Sequence, residues 1–323
     1  MKTDRGVLIC AGLAVVAMAV SLSVGTVSIP LFPIGDWTPT ERFILIDLRL
    51  LRTVTAFVVG ACLGASGITL QATLQNPLAD PYILGVSAGA GLGAALALLT
   101  PLGALHPLMV PLFAFGGALF TVALVYGIVR ASRRFSVTHI ILAGIMVNAF
   151  FSSMTLLAVF LSGDRLVSLM YWLMGDLGKT DRTLLFWLTG CAVIGMTAAL
   201  LLSRTSNMMA FGDDTAAASG VAVDRHRKWM LVTASFLVGI AVAGGGIIGF
   251  VGLVIPHILR LVMGHDFRPL SLASGLLGGA FLVAMDTLAR VLLPASELPV
   301  GLLTSFVGAP FFLWLFLKKR PHA

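Results

Sequence analysis

The residues that could carry out chemistry are few and scattered. Gly178-Lys179-Thr180 matches the end of the phosphate-binding loop G-x-x-x-x-G-K-[ST], but Leu173 occupies the position of the required first glycine. The three cysteines lie far apart in apolar segments, and the six histidines show no ligand spacing. The sequence therefore predicts no catalytic residues, no metal site and no cofactor bound by this chain.

Three arginines flank long apolar runs. Arg49 and Arg52 are three residues apart and would share one face of a helix, whereas Arg290 ends a later run. Anchoring at a membrane interface would explain all three. For Arg290, a local ion pair with Asp286 one turn earlier is a further alternative.

The composition is that of a protein dissolved in lipid. Hydrophobic residues make up 58% of the 323 residues and charged residues 11%, whereas a soluble domain carries roughly a quarter charged residues. The net charge of +7 comes from basic residues at the ends of apolar runs rather than in one patch. This distribution favours membrane topology over nucleic-acid binding.

Ten apolar runs predict an all-α polytopic membrane protein with about ten transmembrane helices. The runs are 7–26, 52–74, 83–100, 108–129, 138–161, 183–203, 230–250, 252–264, 270–290 and 300–317. In this pattern seven of the 21 lysines and arginines fall on one side and 14 on the other, so both termini are expected in the cytoplasm. The first run, preceded by Lys2 and Arg5, also has features of a signal peptide.

A weak internal repeat accompanies these runs. An offset of 179 residues superimposes the pairs Gly60 and Gly239, Gly67 and Gly246, and Pro77 and Pro256. The two copies would have opposite orientations, as in the inverted repeats of transporters. Backbone-breaking residues interrupt the helical pattern at 75–81 and 244–257, which indicates a protein-lined cavity or, for the first stretch, an ordinary turn.

Several motifs resemble those of the FecCD family, whose members are permeases for iron–siderophore, haem and cobalamin import. They span nearly the whole chain: Leu48–Thr53, Gln75-Asn76-Pro77-Leu78-Ala79-Asp80-Pro81, Gly249–Arg260 with Pro256-His257, Glu297–Gly301 and Gly308–Phe312. The resemblance implies one permease domain over 1–323 with the type II ABC importer permease fold. It also implies that Asn76, Pro77, Pro256 and His257 belong to structural motifs.

The resemblance further implies the partners and the cargo. They are a second copy of the chain, two ATP-binding cassette subunits that hold ATP and Mg²⁺, a periplasmic binding protein and the lipid of the bacterial inner membrane. Iron–siderophore is the favoured cargo because such permeases dominate the family, with cobalamin and haem as alternatives. A secondary transporter is a distant alternative, because it would need ionisable residues at mid-membrane. The one deeply placed acidic candidate, Asp286, is expected close to the outer edge and near Arg290.

Three groups of residues acquire expected roles from this resemblance. Arg49, Arg52 and Arg290 would receive acidic residues of the binding protein. The cytoplasmic segment 207–228 would dock into the ATPase through a short helix between glycines, or else be a solvated loop: Gly212, Asp213, Asp214, Thr215, Ala216, Ala217 and Gly220. Ser136, Val137 and Thr138 would help to close the pathway. Asn148 would line it or form a helix–helix hydrogen bond.

Overall fold

The computed structural model describes residues 2–25, 27, 37–132, 137–210, 212–293 and 296–318, and the regular structure within these ranges is entirely helical. We number the ten longest helices in chain order: α1 (Lys2–Ser23), α2 (Leu51–Thr73), α3 (Val86–Leu99), α4 (Met109–Ala131), α5 (Val137–Phe160), α6 (Arg182–Met209), α7 (Val223–Gly245), α8 (Val251–Met263), α9 (Phe267–Val291) and α10 (Val300–Lys318). Each predicted apolar run coincides with one of these helices.

Among the described residues, seven helical segments have the length and hydropathy of a membrane span. They comprise α1, α4, α5, α6, α7 and α9, together with the continuous segment Pro39–Thr73 that ends in α2. The helices α3, α8 and α10 are apolar but shorter. The structure is therefore that of a polytopic helical membrane protein.

The helix α2 lies at the centre of the bundle, where it packs against α6, α7, α8 and α9. The most apolar part of its span is 89% buried, compared with 17% for α1 at the periphery. Glycines allow the closest approach: a Cβ at Gly60 would lie 2.3 Å from the carbonyl oxygen of Gly278, and one at Gly64 would lie 2.0 Å from that of Ser274. Small residues therefore bring the backbones of α2 and α9 into direct contact.

The outer helices present large apolar side chains to their surroundings. Leu8 on α1, Phe160 on α5 and Phe186 on α6 are 70–84% exposed. In water such exposure would promote association, whereas lipid is an apolar solvent for these side chains. Their positions are those of a lipid-facing surface.

Short helices occupy several connections between the long ones. The turn Pro39–Arg42 and a π-helical stretch, Phe43–Leu50, run without interruption into α2. The continuous helical segment therefore begins at Pro39, well before the predicted run 52–74. Other short helices are Pro81–Leu84, Leu102–Leu105, Gly163–Arg165, Leu166–Leu173 and Asp213–Ala218.

Candidate functional site

Arg49, Arg52 and Arg290, which we call the outer arginine cluster, lie around one cavity. Most of their hydrogen bonds and ion pairs are made to other parts of the chain. The Nη2 atom of Arg52 lies 2.9 Å from Oδ1 of Asp286, and its Nη1 atom lies 2.5 Å from Oε2 of Glu297. The side chain of Asp286 is 1% exposed, whereas that of Glu297 is 55% exposed. Arg52 thus joins a buried carboxylate to one that faces the solvent.

Arg290 and Arg49 fasten the end of α1. Arg290 donates from Nη2 to Oγ of Ser21 at 2.6 Å, and its Nε lies 3.3 Å from Oδ2 of Asp286. Arg49 donates to the backbone carbonyls of Leu22, at 2.9 Å, and Val27. The bond to Leu22 satisfies a carbonyl group that the last turn of a helix leaves without an intrahelical partner.

The local ion pair between Arg290 and Asp286, considered from the sequence, is therefore confirmed. Arg49 and Arg290 are almost completely buried. A cavity of about 120 Å³ opens beside the three arginines and Glu297. Binding of a partner's carboxylates at the three arginines stays a prediction, and Arg52 with Glu297 forms the accessible part of the cluster.

The two interrupted stretches of the sequence contact each other. The hydroxyl of Tyr82, in the short helix after the first interruption, donates to the carbonyl of Ile248 at 3.0 Å. The same hydroxyl accepts a bond from the Ile248 amide at 3.2 Å. One side chain thus satisfies both backbone groups of a residue between α7 and α8.

Close packing supports this junction. A Cβ at Gly67 would lie 1.9 Å from the carbonyl oxygen of Gly252, and one at Gly252 would lie 2.4 Å from Cγ of Pro81. Asn76 closes the turn after α2, because its Oδ1 atom accepts a bond from the Leu78 amide at 2.9 Å. Pro77 lies exposed in this turn, while Pro256 and His257 are buried inside α8.

The expected short helix between glycines is present as Asp213–Ala218, which we call the coupling helix after the role expected for it. Gly212 precedes it with φ of 104° and Gly220 follows it with φ of 85°. At its end the Gly220 amide donates to the Ala217 carbonyl and the Val221 amide to the Ala216 carbonyl. This is the Schellman pattern, in which glycine adopts the left-handed conformation at low cost.

The coupling helix is tied to three long helices. Arg227 in the first turns of α7 donates from Nη2 to both carboxylate oxygens of Asp213, at 2.9 and 2.7 Å. Gln75, just after α2, donates to Oδ1 of Asp213 at 3.1 Å and to the carbonyl of Met209, at the end of α6, at 3.2 Å. Ala216 is buried beside Met209.

The opposite face of the coupling helix is exposed. Asp214, Thr215, Ala217 and Ala218 all face outward. The small residues of this helix therefore divide into an inner contact at Ala216 and an exposed surface that includes Ala217.

The expected gate residues are not brought into one site. Ser136 lies outside the described residues, Val137 begins α5 half-buried, and Thr138 is exposed. Asn148 is three turns further along α5, where its backbone packs against Gly85. The roles of these residues in closing or lining a pathway stay predictions.

Comparison with known proteins covers nearly the whole chain. The model of the FecCD transport family matches residues 13–318. The chain belongs to the FecCD transport family. The chain is similar to an uncharacterised ABC transporter permease protein, YvrB of Bacillus subtilis, which is 39% identical over 89% of this chain and 82% of its own length.

Two further similar proteins cover this chain almost completely. The vitamin B12 import system permease BtuC of Shigella boydii is 38% identical over 98% of this chain and 96% of its own length. An inward-facing ABC transporter described as of metal-chelate type aligns with a TM-score of 0.89 at 29% identity, covering 98% of this chain and 99% of its own. The FecCD chain described here is thus an ABC transporter permease with many membrane spans.

Sequence reasoning about the FecCD motifs missed the partners of the key residues. Glu297 was noted as part of a motif and Asp286 as a possible partner of Arg290, but neither was anticipated as a partner of Arg52. Tyr82, which follows the motif ending in Pro81, and the bonds from Gln75 and Arg227 to Asp213 were not anticipated. Their proximity in sequence to the motifs was the only available signal.

Proposed function

We propose that this chain is the membrane subunit of an ATP-driven importer that moves a metal chelate from the periplasm to the cytoplasm of a bacterium. Two copies would form the pathway, two separate subunits would bind and hydrolyse ATP with Mg²⁺, and a periplasmic binding protein would deliver the cargo. The permease itself would hold no cofactor and catalyse no reaction.

The observation that carries this proposal is the attachment of the coupling helix. Its inner side is bonded through Asp213 to Arg227 and Gln75, while Ala217 and its neighbours remain exposed. A partner that binds the exposed side and moves would therefore displace the ends of α2, α6 and α7 together. This is the mechanical contact that a permease without its own nucleotide site requires.

The cargo has two leading candidates. The resemblance favoured iron–siderophore, whereas the relatives named for their cargo, including BtuC of Shigella boydii, import vitamin B12. Cobalamin is accordingly the first compound to test, followed by iron–siderophore and haem. The engagement of Asp286 by Arg52 and Arg290 argues against its use as a coupling-ion site in a secondary transporter.

Pairwise packing supports ten crossings arranged as an inverted repeat. The helix α2 packs against α9, and α7 correspondingly packs against α4. Likewise α3 packs against α4 and α5, and α8 packs against α9 and α10. In this arrangement α2–α5 and α7–α10 form the two copies, both termini are cytoplasmic, and Val137, Thr138 and Asn148 belong to the pathway.

We place the binding-protein contact at the outer arginine cluster. Arg52 is the member with an exposed carboxylate partner, so a carboxylate of the binding protein would compete with Glu297 for its guanidinium group. Arg49 and Arg290 would position Arg52 through the end of α1 and through Asp286.

The function is tested by Ala217→Trp in the permease reconstituted with its ATPase partner and binding protein. A bulky side chain on the exposed face should block docking, while the fold survives because Ala217 has no role in internal packing. We expect at least a tenfold loss of cargo-stimulated ATP hydrolysis or of ATPase co-purification. Ala131→Trp, at the exposed end of α4, is the matched control.

Normal hydrolysis, subunit ratio and uptake in Ala217→Trp would refute the assignment of the coupling helix. Stimulation by binding protein loaded with cobalamin, iron–siderophore or haem, compared in the wild type, identifies the cargo.

A further inference from the structure

A groove of about 200 Å³ lies between α4, α5 and α7. Two helical rows form its walls, each with spacing i, i+3, i+4, i+7: Leu119, Val122, Ala123 and Tyr126 on α4, and Lys228, Leu231, Val232 and Ser235 on α7. Each row is about 10 Å long. Ala123 and Val232 are exposed, so the groove opens on the lateral surface of the helix bundle.

One end of the groove is basic. The Nζ atom of Lys228 lies 5.4 Å from the centroid of the Tyr126 ring, which places it at the mouth. The two rows continue to Arg130, four residues after Tyr126, and to Arg225, three residues before Lys228. Since α4 ends and α7 begins here, both arginines lie about one turn beyond the mouth.

These three cations are not paired with any carboxylate of the described residues. Although Asp224 adjoins Arg225 in sequence, none of the three has a carboxylate within ion-pair distance in the part of the chain that the structure describes. By contrast, the neighbouring Arg227 is buried and paired with Asp213. The basic end of the groove is therefore available to an external anion.

We propose that the groove binds one anionic phospholipid, with an acyl chain between α4 and α7 and the phosphate group among Lys228, Arg225 and Arg130. Basic side chains above an apolar cleft match both parts of such a lipid. A second copy of the chain docked here would instead bring its own cations to the same place. In the proposed topology the lipid belongs to the cytoplasmic leaflet.

The site adjoins the attachment of the coupling helix. Lys228 follows directly after Arg227, whose guanidinium group holds Asp213. A bound headgroup would therefore hold the first turns of α7 in place at the point where the coupling helix is fastened. Bound anionic lipid would consequently support both the binding of the ATPase partner and the coupling of its ATP hydrolysis to transport.

The proposal is tested by titrating dioleoylphosphatidylglycerol into the delipidated complex of the full-length permease with its ATPase partner. Native mass spectrometry gives the dissociation constant, and dioleoylphosphatidylcholine is the zwitterionic comparison. For Arg225→Gln with Lys228→Gln we expect about thirtyfold weaker binding of the anionic lipid, equivalent to about 2 kcal/mol at 1.4 kcal/mol per factor of ten.

The matched control is Arg204→Gln with Arg268→Gln, which removes the same charge from two exposed positions and should leave lipid affinity unchanged. Val232→Trp fills the groove while keeping the cations, and should weaken binding of both lipids. The proposal would be overturned if Arg225→Gln with Lys228→Gln kept the lipid affinity of the wild type, whether or not that variant lost its ATPase partner. An altered oligomeric state in Val232→Trp would also overturn it. If Val232→Trp fails to fold, the two charge variants decide.

Discussion

Two carboxylates share the guanidinium group of Arg52. Because they differ in burial, the loss of each should have a different energetic cost. Asp286 is buried between Arg52 and Arg290, whereas Glu297 reaches Arg52 from the exposed side. Removing one partner from a buried charge pair leaves an uncompensated charge in a medium of low dielectric constant. An exposed pair exchanges protein contacts for contacts with water at little cost.

The first prediction concerns Asp286→Asn. The substitution should destabilise the permease by about 3–5 kcal/mol, because Arg52 and Arg290 lose their shared buried counterion. Glu297→Gln removes a partner of the same arginine and should cost below about 1 kcal/mol. Thermal unfolding of both variants in detergent measures the difference, and equal losses would contradict the distinction between a buried and an exposed carboxylate.

The second prediction concerns capture of the binding protein. Glu297→Gln should speed association of the loaded binding protein by about two- to fivefold, because an exposed competing pair is worth up to about 1 kcal/mol. The control is Asp47→Asn, which breaks the outer ion pair with Arg182 and should leave the rate unchanged. A rate in Glu297→Gln at or below that of the wild type would argue against docking at Arg52.

At the scale of helices, α3 and α8 are too short to cross a bilayer unaided. Their 14 and 13 residues correspond to about 20 Å, whereas the hydrocarbon core is about 30 Å thick. Each follows an interruption of the helical pattern, and irregular backbone at membrane depth must be covered by protein. The contact between Tyr82 and Ile248 provides this cover at the point where the two interruptions meet.

The third prediction is that Tyr82→Phe loosens this junction. Ile248 would lose the partner of its amide and its carbonyl, at a cost of about 1–3 kcal/mol. We expect a lower unfolding temperature and faster hydrogen exchange confined to the Ile248 amide and its neighbours. Tyr171→Phe, on an exposed tyrosine, should change neither measurement. Unchanged exchange at Ile248 would show that the hydroxyl does not hold the junction.

The sequence predicted the positions of helices correctly where hydropathy alone determines them. The run 138–161 corresponds to α5 and 252–264 to α8 within one residue at each end. The prediction was wrong for polar helical turns: α7 begins at Val223 rather than near residue 230, because its first turns are charged and hydropathy does not register them. The partners of Arg52 and Asp213 depend on contacts between helices distant in sequence, which spacing alone does not encode.

At the scale of the whole molecule, the two candidate contact surfaces lie at opposite ends of the long helices. The helix α2 has Arg52 in its first turn and is followed by Gln75, which binds the coupling helix. Its 23 residues separate these sites by about 34 Å. Binding of one partner at each end is therefore possible only if the ends face opposite sides of the membrane.

The last prediction tests that arrangement directly. The permease is first freed of Cys10, Cys62 and Cys191, and single cysteines then replace Asp164 or Asp214, both of which are exposed. In intact spheroplasts a membrane-impermeant maleimide should label Asp164→Cys, because the connection after α5 faces the periplasm when the side richer in lysine and arginine is cytoplasmic. It should label Asp214→Cys on the coupling helix only after permeabilisation. The reverse pattern would invert the topology and separate the coupling helix from cytoplasmic ATP, whereas labelling of both from outside would contradict the number of crossings between them.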